Sequence, residues 1–377
     1  KKWKKEMEER TLRSLAITQV FKDHEAPING LDFSDDGEVM VTSSEDDTIQ
    51  VYSCLMAAKR RTVLSKKYGA ELCRFTHHRE AVLCCSRSTN GWDDTIRYLS
   101  LHDNSYIRYF RGHRDRVVSM SMNPKNDTFA SASLDGTVRL WDLRHSPPTG
   151  MFRLPTTTAS SSSSSSSSSG VGVGGAVVGV EGEKSNVIMR PAVSFDPSGA
   201  VFAVVHGSEV KMFDVRNFEG GPFGTANLLQ AQTTSSPSSS SGISGSGSST
   251  SSTTTTMNSE MNVVSSGSGS GGGGGHQRHH GGWGSHQFSS DGTKIVVSTL
   301  GEEATGVTLI TLLAYPFSGE VFARITGVNN SHSMVIEPCL SPGNGDYVMC
   351  GSEDGSVQMW ESKTGKSVAR WEGAHPG

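Results

Sequence analysis

A short unit that recurs along the chain constrains its fold more than any other feature. Each copy places an Asp-Asp or Asp-Gly pair before a stretch in which apolar and polar residues alternate. The aspartates Asp47, Asp94 and Asp135 stand 47 and 41 residues apart, close to the roughly 40–45 residues of a four-stranded repeat. The clearest copies read SEDDTIQVY (44–52), WDDTIRYL (92–99), SLDGTVRLWD (133–142) and SEDGSVQMW (352–360), with weaker copies at 207–214 and around 305–311.

The residue types of the unit predict its local structure. Asp and Gly tolerate the positive φ that tight hairpin turns require, and the alternation after them predicts a strand with one buried face. Another turn precedes each copy, as in FSDDG (33–37) and FDPSG (195–199). The recurring order is therefore an antiparallel meander. Nothing between the copies has helical periodicity, so βαβ architectures are excluded and a β-propeller of WD repeats is predicted.

Counting the repeats predicts six blades within the chain and part of a seventh. The segment 12–20 alternates like an outer strand, and WEGAH (371–375) resembles the start of a further repeat. Because an N-terminal strand can complete the last blade and remove an open edge, we predict an all-β, seven-bladed WD-repeat β-propeller. We expect its last blade to be incomplete here and the chain to be a fragment at both ends. The six predicted blades are 22–62, 63–107, 108–153, 154–222, 223–320 and 321–371.

Composition separates two insertions from the propeller. The stretches 156–186 and 230–282 consist mostly of Ser, Gly and Thr, with too little apolar side chain to offset the entropy of ordering them. We predict that they are disordered insertions in the fourth and fifth blades. The domain organisation is thus a charged N-terminal extension, 1–11, followed by one propeller, 12–375, that contains both insertions.

Charge and hydropathy exclude several classes of protein. The net charge of −4 gives no global attraction to nucleic acid or to an anionic membrane. No apolar run approaches the ~18 residues of a membrane helix, and the charged start lacks the apolar stretch of a secretory signal. The six cysteines include no C-x-x-C pair. We therefore expect a reduced intracellular compartment, with no direct binding to nucleic acid or membrane.

The third unit contains the residues of a hydrogen-bonded chain as well as those of a hydrolase triad. In WD repeats generally, a His, a strand Ser, the turn Asp and the Trp are linked inside the blade. A Ser, a His and an Asp in one unit also match a catalytic triad. We favour the structural interpretation, because repeats copy structural parts, and His24 and Asp46 begin a similar set in the first unit. The predicted structural residues are His113, Ser131 or Ser133, Asp135 and Trp141.

Two further motifs suggest ligands but lack the context that such sites need. GVGVGG (170–175) matches a dinucleotide fingerprint, yet it follows a serine run rather than a strand. HQRHH (276–280) has metal-ligand residue types within a glycine-rich stretch that would not hold a fixed coordination geometry. We predict no cofactor, no metal and no enzymatic activity.

Longer strings make the chain similar to one particular family. These strings resemble the WD-repeat subunit shared by the COMPASS histone methyltransferase complex and the nuclear phosphatase module of the cleavage and polyadenylation machinery. The run from Asp93 to His113 is far longer than a generic repeat requires, and the resemblance covers nearly all of 12–375 outside the insertions. The strings are DDTIRYLSLHDN (93–104), YIRYF (106–110), GH (112–113), SKKYG (65–69), DTF (127–129), LWDLR (140–144), SFDP (194–197), GPF (221–223) and SEDG (352–355).

The resemblance implies a non-catalytic nuclear scaffold. Its expected partners are a segment of the methyltransferase catalytic subunit, a regulatory subunit of a protein phosphatase, and the phosphorylated tail of RNA polymerase II. The alternative is a WD-repeat adaptor of another complex, such as a ubiquitin ligase, and an enzyme is a third hypothesis. The run that begins at Asp93 favours the first.

Capture of a phosphorylated peptide requires Arg or Lys donors near an exposed edge. The densest cluster of such residues lies where the second and third blades meet. The candidate contacts are Arg97, Arg108, Arg111, Arg114 and Arg116. Ordinary solvated charges are the alternative interpretation of the same cluster.

Overall fold

The computed structural model describes most of the repeat region. The described residues are 11–12, 14–86, 94–155, 190–228, 283–299, 307–313, 317–332 and 334–373. All of them belong to one compact unit formed by 1–232 and 279–377. The extension 1–10, the two predicted insertions and the histidines of 276–280 lie outside the described residues.

Six four-stranded antiparallel sheets make up the described structure, in which each sheet is one meander. In five of them the side chains of all four strands are described; in the fifth sheet along the chain part of the third strand is described by its backbone alone. The first three sheets consist of β1 (Ile28–Phe33), β2 (Val39–Ser44), β3 (Thr48–Ser53) and β4 (Ala58–Leu64); β5 (Cys73–Phe75), β6 (Ala81–Cys85), β7 (Ile96–Ser100) and β8 (Ser105–Phe110); and β9 (Val117–Met122), β10 (Thr128–Ser133), β11 (Thr137–Asp142) and β12 (Gly150–Arg153).

The last three sheets follow the same order. A short 3-10 helix, Phe218–Gly220, lies in the fourth sheet's last connection. The strands are β13 (Ala192–Phe195), β14 (Val201–His206), β15 (Glu209–Asp214) and β16 (Gly224–Asn227); β17 (Trp283–Phe288), β18 (Lys294–Thr299), β19 (Val307–Leu313) and β20 (Val321–Val328); and β21 (Cys339–Leu340), β22 (Tyr347–Gly351), β23 (Val357–Glu361) and β24 (Ser367–Trp371).

The Asp turns of the repeat join the second and third strands of a sheet. Gly136 has a φ of +72° and Gly355 a φ of +77°, a conformation that glycine adopts without the strain of a Cβ atom. The first copy has Asp47 at the same place, with a φ of +60°. The turn thus reverses the chain, and the alternating residues after it form β3, β11 and β23.

The hydrophobic core lies between neighbouring sheets. Phe110 on the second sheet meets the Trp141 ring of the third edge-on, with 5.8 Å between ring centroids. Phe129 stacks on the same indole at 6.0 Å, and all three side chains are almost fully buried. The inner strands of neighbouring sheets come together there, and β9 contacts both β5 and β13.

Several predicted boundaries are wrong. The blades that we ended at 107, 222 and 320 continue to 110, 227 and 328, because the outer strands β8, β16 and β20 belong to the preceding sheet. An outer strand carries weak alternation, since one of its edges faces solvent, and the sequence pattern therefore placed its end too early. The predicted outer strand at 12–20 is wrong, because 14–20 forms no strand. Instead, the carbonyl oxygen of Leu15 accepts a hydrogen bond from Trp371 Nε1 at 2.8 Å.

Candidate partner-binding surface

A buried hydrogen-bonded network connects the β8–β9 connection to the third sheet. His113 Nδ1 lies 3.0 Å from Asp135 Oδ2, and its Nε2 lies 2.7 Å from Ser131 Oγ. Trp141 Nε1 donates a hydrogen bond to the same hydroxyl at 2.8 Å. A carboxylate only accepts, so Nδ1 of a neutral His113 carries the proton, and Ser131 donates to Nε2. The network thereby holds the β8–β9 connection and the Asp135 turn against both β10 and β11.

Ser131 and Ser133, which the sequence left as alternatives, have different roles. Ser131 is the network member, whereas Ser133 Oγ donates to the Asp115 carbonyl at 2.8 Å and accepts from the Asp135 amide at 3.1 Å. Burial alone would raise the pKa of Asp135, but the hydrogen bonds from His113 and Thr137 outweigh it and hold that pKa far below its usual value. The turn therefore carries a permanent negative charge that is satisfied internally.

The same network has the connectivity of a Ser-His-Asp triad but not its accessibility. A hydrolytic serine must present its Oγ to a substrate. The Ser131 side chain is fully buried, and its hydroxyl already accepts the Trp141 hydrogen bond. The arrangement acts as a structural tie.

The first sheet repeats this tie with different side chains. His24 Nδ1 lies 3.0 Å from Asp46 Oδ2, and its Nε2 lies 2.7 Å from Thr42 Oγ1. Burial opposes ionisation of Asp46, yet the hydrogen bonds from Thr48 and His24 lower its pKa to about 2. Two sheets thus hold the loop before their inner strand against the Asp turn in the same way.

Arg114 and Arg116 lie beside the Asp135 turn, where they meet two residues from other connections. Arg114 donates its backbone amide to Asp135 Oδ2 at 3.0 Å and exposes its side chain. Arg116 Nη2 contacts Glu71 Oε1, and Arg190 Nη2 donates to the Val118 carbonyl at 2.8 Å. Burial and the charge of Arg116 lower the pKa of Arg190 to about 10. We call Glu71, Arg114, Arg116 and Arg190 the turn face.

The other three predicted arginines do not belong to this face. Arg97 is only 2% exposed, and its Cζ lies 3.7 Å from the centroid of the Tyr68 ring. Its prediction as a peptide contact is wrong, because that ring and the second sheet bury it. Arg108 and Arg111 lie at the outer strand β8, where Arg108 Nη1 donates to the Arg144 carbonyl at 2.6 Å. Of the five predicted arginines, Arg114 and Arg116 therefore lie on the turn face, Arg108 and Arg111 lie at β8, and Arg97 is buried.

The sequence analysis missed the residues that accompany these arginines. Arg190 stands four residues after the stretch 156–186, and nothing in its local sequence connects it to Arg116. Tyr68, Tyr106 and Tyr109 stand in strings that resemble the family, but no spacing rule brings the first of them to β8. Within the described residues, no group of three or more His, Cys, Asp or Glu side chains is arranged to hold a metal. None of the helices there has the length and apolar character to cross a membrane.

Comparison with known proteins agrees with the sheets and turns. The family model for the WD domain, G-beta repeat, matches 16–53, 104–142 and 330–361, which include the Asp turns of the first, third and sixth sheets. WD repeat-containing protein 82 of Drosophila melanogaster is 32% identical over 367 residues, which cover 97% of this chain and 87% of the fly protein. The chain belongs to the WD repeat-containing protein 82 family. Its fold is accordingly an all-β WD-repeat β-propeller.

The names of two other relatives state the complex to which those proteins belong. The Set1 complex component swd2 of Schizosaccharomyces pombe is 34% identical over 198 residues, 52% of this chain and 45% of that protein. The COMPASS component SWD2 of Saccharomyces cerevisiae is 34% identical over 199 residues, 52% of this chain and 50% of that protein. The chain is similar to both over about half of its length.

Proposed function

We propose that this protein is a non-catalytic scaffold subunit of a histone lysine methyltransferase complex of the Set1/COMPASS type and acts in the nucleus. The observation that carries the proposal is the 34% identity to two relatives named as components of that complex. WD-repeat propellers commonly present loops to several peptides at once. The buried Ser131 hydroxyl supports the non-catalytic part.

The geometry supports such a role through stiff loops. A loop that contacts partners binds with a smaller entropic cost when it is already ordered. His113 ties the connection between the second and third sheets to the Asp135 turn, and His24 ties the segment before β1 to the Asp46 turn. Both loops are therefore held before any partner arrives. In this proposal, the tied loops contact a segment of the methyltransferase catalytic subunit.

The proposal extends to two further partners. The first is a regulatory subunit of the phosphatase module in the cleavage and polyadenylation machinery, and the second is the phosphorylated tail of RNA polymerase II. A phosphate requires several convergent donors, and the turn face offers Arg114 and Arg116 beside Arg190. Arg111 stays a candidate contact on a different surface.

The proposed function requires a domain organisation in which the repeats form a single propeller. We propose that 12–375 belongs to one seven-bladed propeller with insertions at 156–186 and 230–282. Limited proteolysis tests it: cleavage confined to the two insertions and to 1–11 supports the proposal. Early cleavage inside the described sheets would contradict it.

Affinity purification tests the scaffold assignment directly. The tagged full-length protein is recovered from nuclear extract and its partners are identified by mass spectrometry. We expect methyltransferase subunits, and their ratio to phosphatase-module subunits measures how the protein divides between the two assemblies. Recovery of ubiquitin ligase subunits instead would favour the alternative adaptor function. Recovery of neither class would overturn the proposal.

Single charge reversals test where the phosphorylated tail binds. A fluorescent tail peptide with phosphoserine is titrated with wild-type protein, Arg114→Glu and Arg111→Glu. Loss of one charge-assisted contact should weaken binding about tenfold for the first variant. Arg216→Glu is the matched control, because its side chain is 84% exposed on the fourth sheet. Equal affinities for all four proteins would remove the tail from the proposal.

A further inference from the structure

The outer strand of the second sheet carries a row of aromatic rings. Tyr68, from the β4–β5 connection, meets Tyr106 edge-on with 5.9 Å between ring centroids. Tyr106 in turn contacts Tyr109 at 5.6 Å. A connection that belongs to the preceding sheet thereby lies along β8, and the three rings form one continuous strip.

Cations flank this strip on its exposed side. Lys67 Nζ lies 5.0 Å from the Tyr68 ring centroid, and Arg111 Cζ lies 5.7 Å from the Tyr109 centroid. From the inside, the buried Arg97 supports Tyr68 at 3.7 Å. We call Lys67, Tyr68, Tyr106, Arg108, Tyr109 and Arg111 the rim surface.

Within the part of the chain that the structure describes, the positive charge of the rim surface is not neutralised. The neighbouring Arg144, whose carbonyl oxygen accepts from Arg108, pairs with Asp142 at 2.6 Å. By contrast, among the described residues no carboxylate lies within ion-pair distance of Lys67, Arg108 or Arg111. The chain as a whole has a net charge of −4. A local excess of positive charge on an acidic chain indicates a surface that meets negative charge on a partner.

The backbone and the apolar side chains of β8 favour an extended partner. This strand is the edge of its sheet, so the outer side of its backbone can pair with a further strand. Ile107 is 50% exposed and Tyr109 is 37% exposed, and both line a shallow depression with Arg108, Arg111, Ser146 and Pro147. Alternating apolar and charged groups along one edge fit a strand whose side chains alternate in the same way.

We propose that the rim surface binds an extended acidic segment of a partner protein, which lies along β8. Its carboxylates meet Lys67, Arg108 and Arg111, and its apolar side chains contact Ile107 and Tyr109. Single-stranded nucleic acid would need free aromatic faces, whereas the Tyr68 ring already has two cationic groups against it. The proposal is independent of the complex to which the protein belongs.

The test uses the full chain and a defined probe. A fluorescein-labelled peptide of alternating Glu and Val is titrated by polarisation, beside the same peptide with Gln in place of Glu and a uridine oligonucleotide. We expect the Glu peptide to bind at least about tenfold more tightly than the Gln peptide, since each charge-assisted contact contributes. Tighter binding of the oligonucleotide, equal binding of both peptides or binding of neither would overturn the proposal.

Variants then locate the site. Lys67→Glu with Arg111→Glu should reduce the affinity of the Glu peptide about tenfold or more, and the milder Arg111→Gln should give a smaller loss in the same direction. Lys363→Glu, an exposed reversal on the sixth sheet, is the matched control, and thermal melting checks that every variant is folded. Arg114→Glu on the turn face should leave this affinity unchanged, which separates the rim surface from the phosphopeptide site. Equal losses for Lys363→Glu and the double reversal would contradict the assignment.

Discussion

The third and sixth sheets contain the same repeat spacing but anchor their turns differently. His332 stands 22 residues before Asp354, as His113 stands before Asp135. His113 is 1% exposed and contacts its aspartate, whereas His332 is 76% exposed and contacts Glu353 instead. The equivalent spacing therefore produces a buried network in one sheet and a surface ion pair in the other.

One strand position accounts for much of this difference. The place that Ser131 occupies in the third sheet is taken by Cys350 in the sixth. A thiol is a weak donor and a weak acceptor, so it does not replace the hydroxyl that joins the imidazole to the indole. Asp354 keeps its turn bonds to Ser356 but pairs with Arg370 at 2.9 Å and is 33% exposed. The turn is thus intrinsic to the repeat, whereas the histidine anchor accompanies a hydroxyl at this strand position, Ser131 in the third sheet and Thr42 in the first.

The largest expected effect on stability comes from replacing each of the two turn aspartates with alanine, in separate variants. Asp135→Ala leaves buried donors of His113 and Thr137 unpaired, and we expect a loss of about 3 kcal/mol in the free energy of unfolding. Asp354→Ala removes an exposed pair with Arg370 and the turn bonds to Ser356, and should cost only about 1 kcal/mol. Urea unfolding of both variants measures the difference. Similar losses would show that the two turns are anchored equally.

A reciprocal exchange at the strand position sharpens the comparison. Ser131→Cys should cost about 2 kcal/mol, because His113 and Trp141 lose a good hydrogen-bond partner. Cys350→Ser should gain up to about 1 kcal/mol and draw His332 toward the turn. Urea unfolding and the histidine resonances by NMR follow the exchange. If Ser131→Cys is as stable as wild type, the hydroxyl is not the deciding group.

Unfolding at acid pH distinguishes Asp46, which is held by His24, from the more exposed Asp354. The pKa of Asp46 is about 2 in the folded protein, below the 3.8 of the free side chain. A lowered pKa contributes stability that is complete above about pH 4 and disappears as the pH falls toward 2, and here it amounts to about 2 kcal/mol. The stability difference between wild type and Asp46→Asn should therefore shrink over that range. Parallel pH curves for these two proteins would contradict the contribution, and Asp354→Asn gives the smaller reference effect.

The smallest expected difference concerns the turn glycines. Gly136 and Gly355 have nearly equal positive φ angles, +72° and +77°, and at Gly136 a Cβ atom would enter open space. Alanine at either position should cost about 1 kcal/mol through backbone strain. Thermal melting of Gly136→Ala and Gly355→Ala should give equal shifts. A clearly larger shift in the third sheet would mean that the network, and not the turn, sets the backbone.

Local chemistry predicts the turns and the meander, but not which side chains meet across the fold. The Asp turns, the strand order and the His113 network follow from residue types at fixed spacing. The burial of Arg97 depends on Tyr68, which comes from the connection before the second sheet, and no local pattern encodes that contact. The exposure of His332 differs in this respect, because Cys350 stands where the repeat spacing places Ser131 in the third sheet, and the sequence alone therefore contains the missing hydroxyl.

The position of the long serine-rich stretches has a consequence for folding. They occupy the connections β12–β13 and β16–β17, both between sheets, whereas the longest connection inside a sheet, 86–95, has ten residues. Loop-closure entropy grows slowly with chain length, by about 0.6 kcal/mol for each doubling, and the hairpins that begin each meander do not include these two connections. Chain length at these two points is therefore nearly free to vary during evolution, and each meander can nucleate at a rate set by its own short turns.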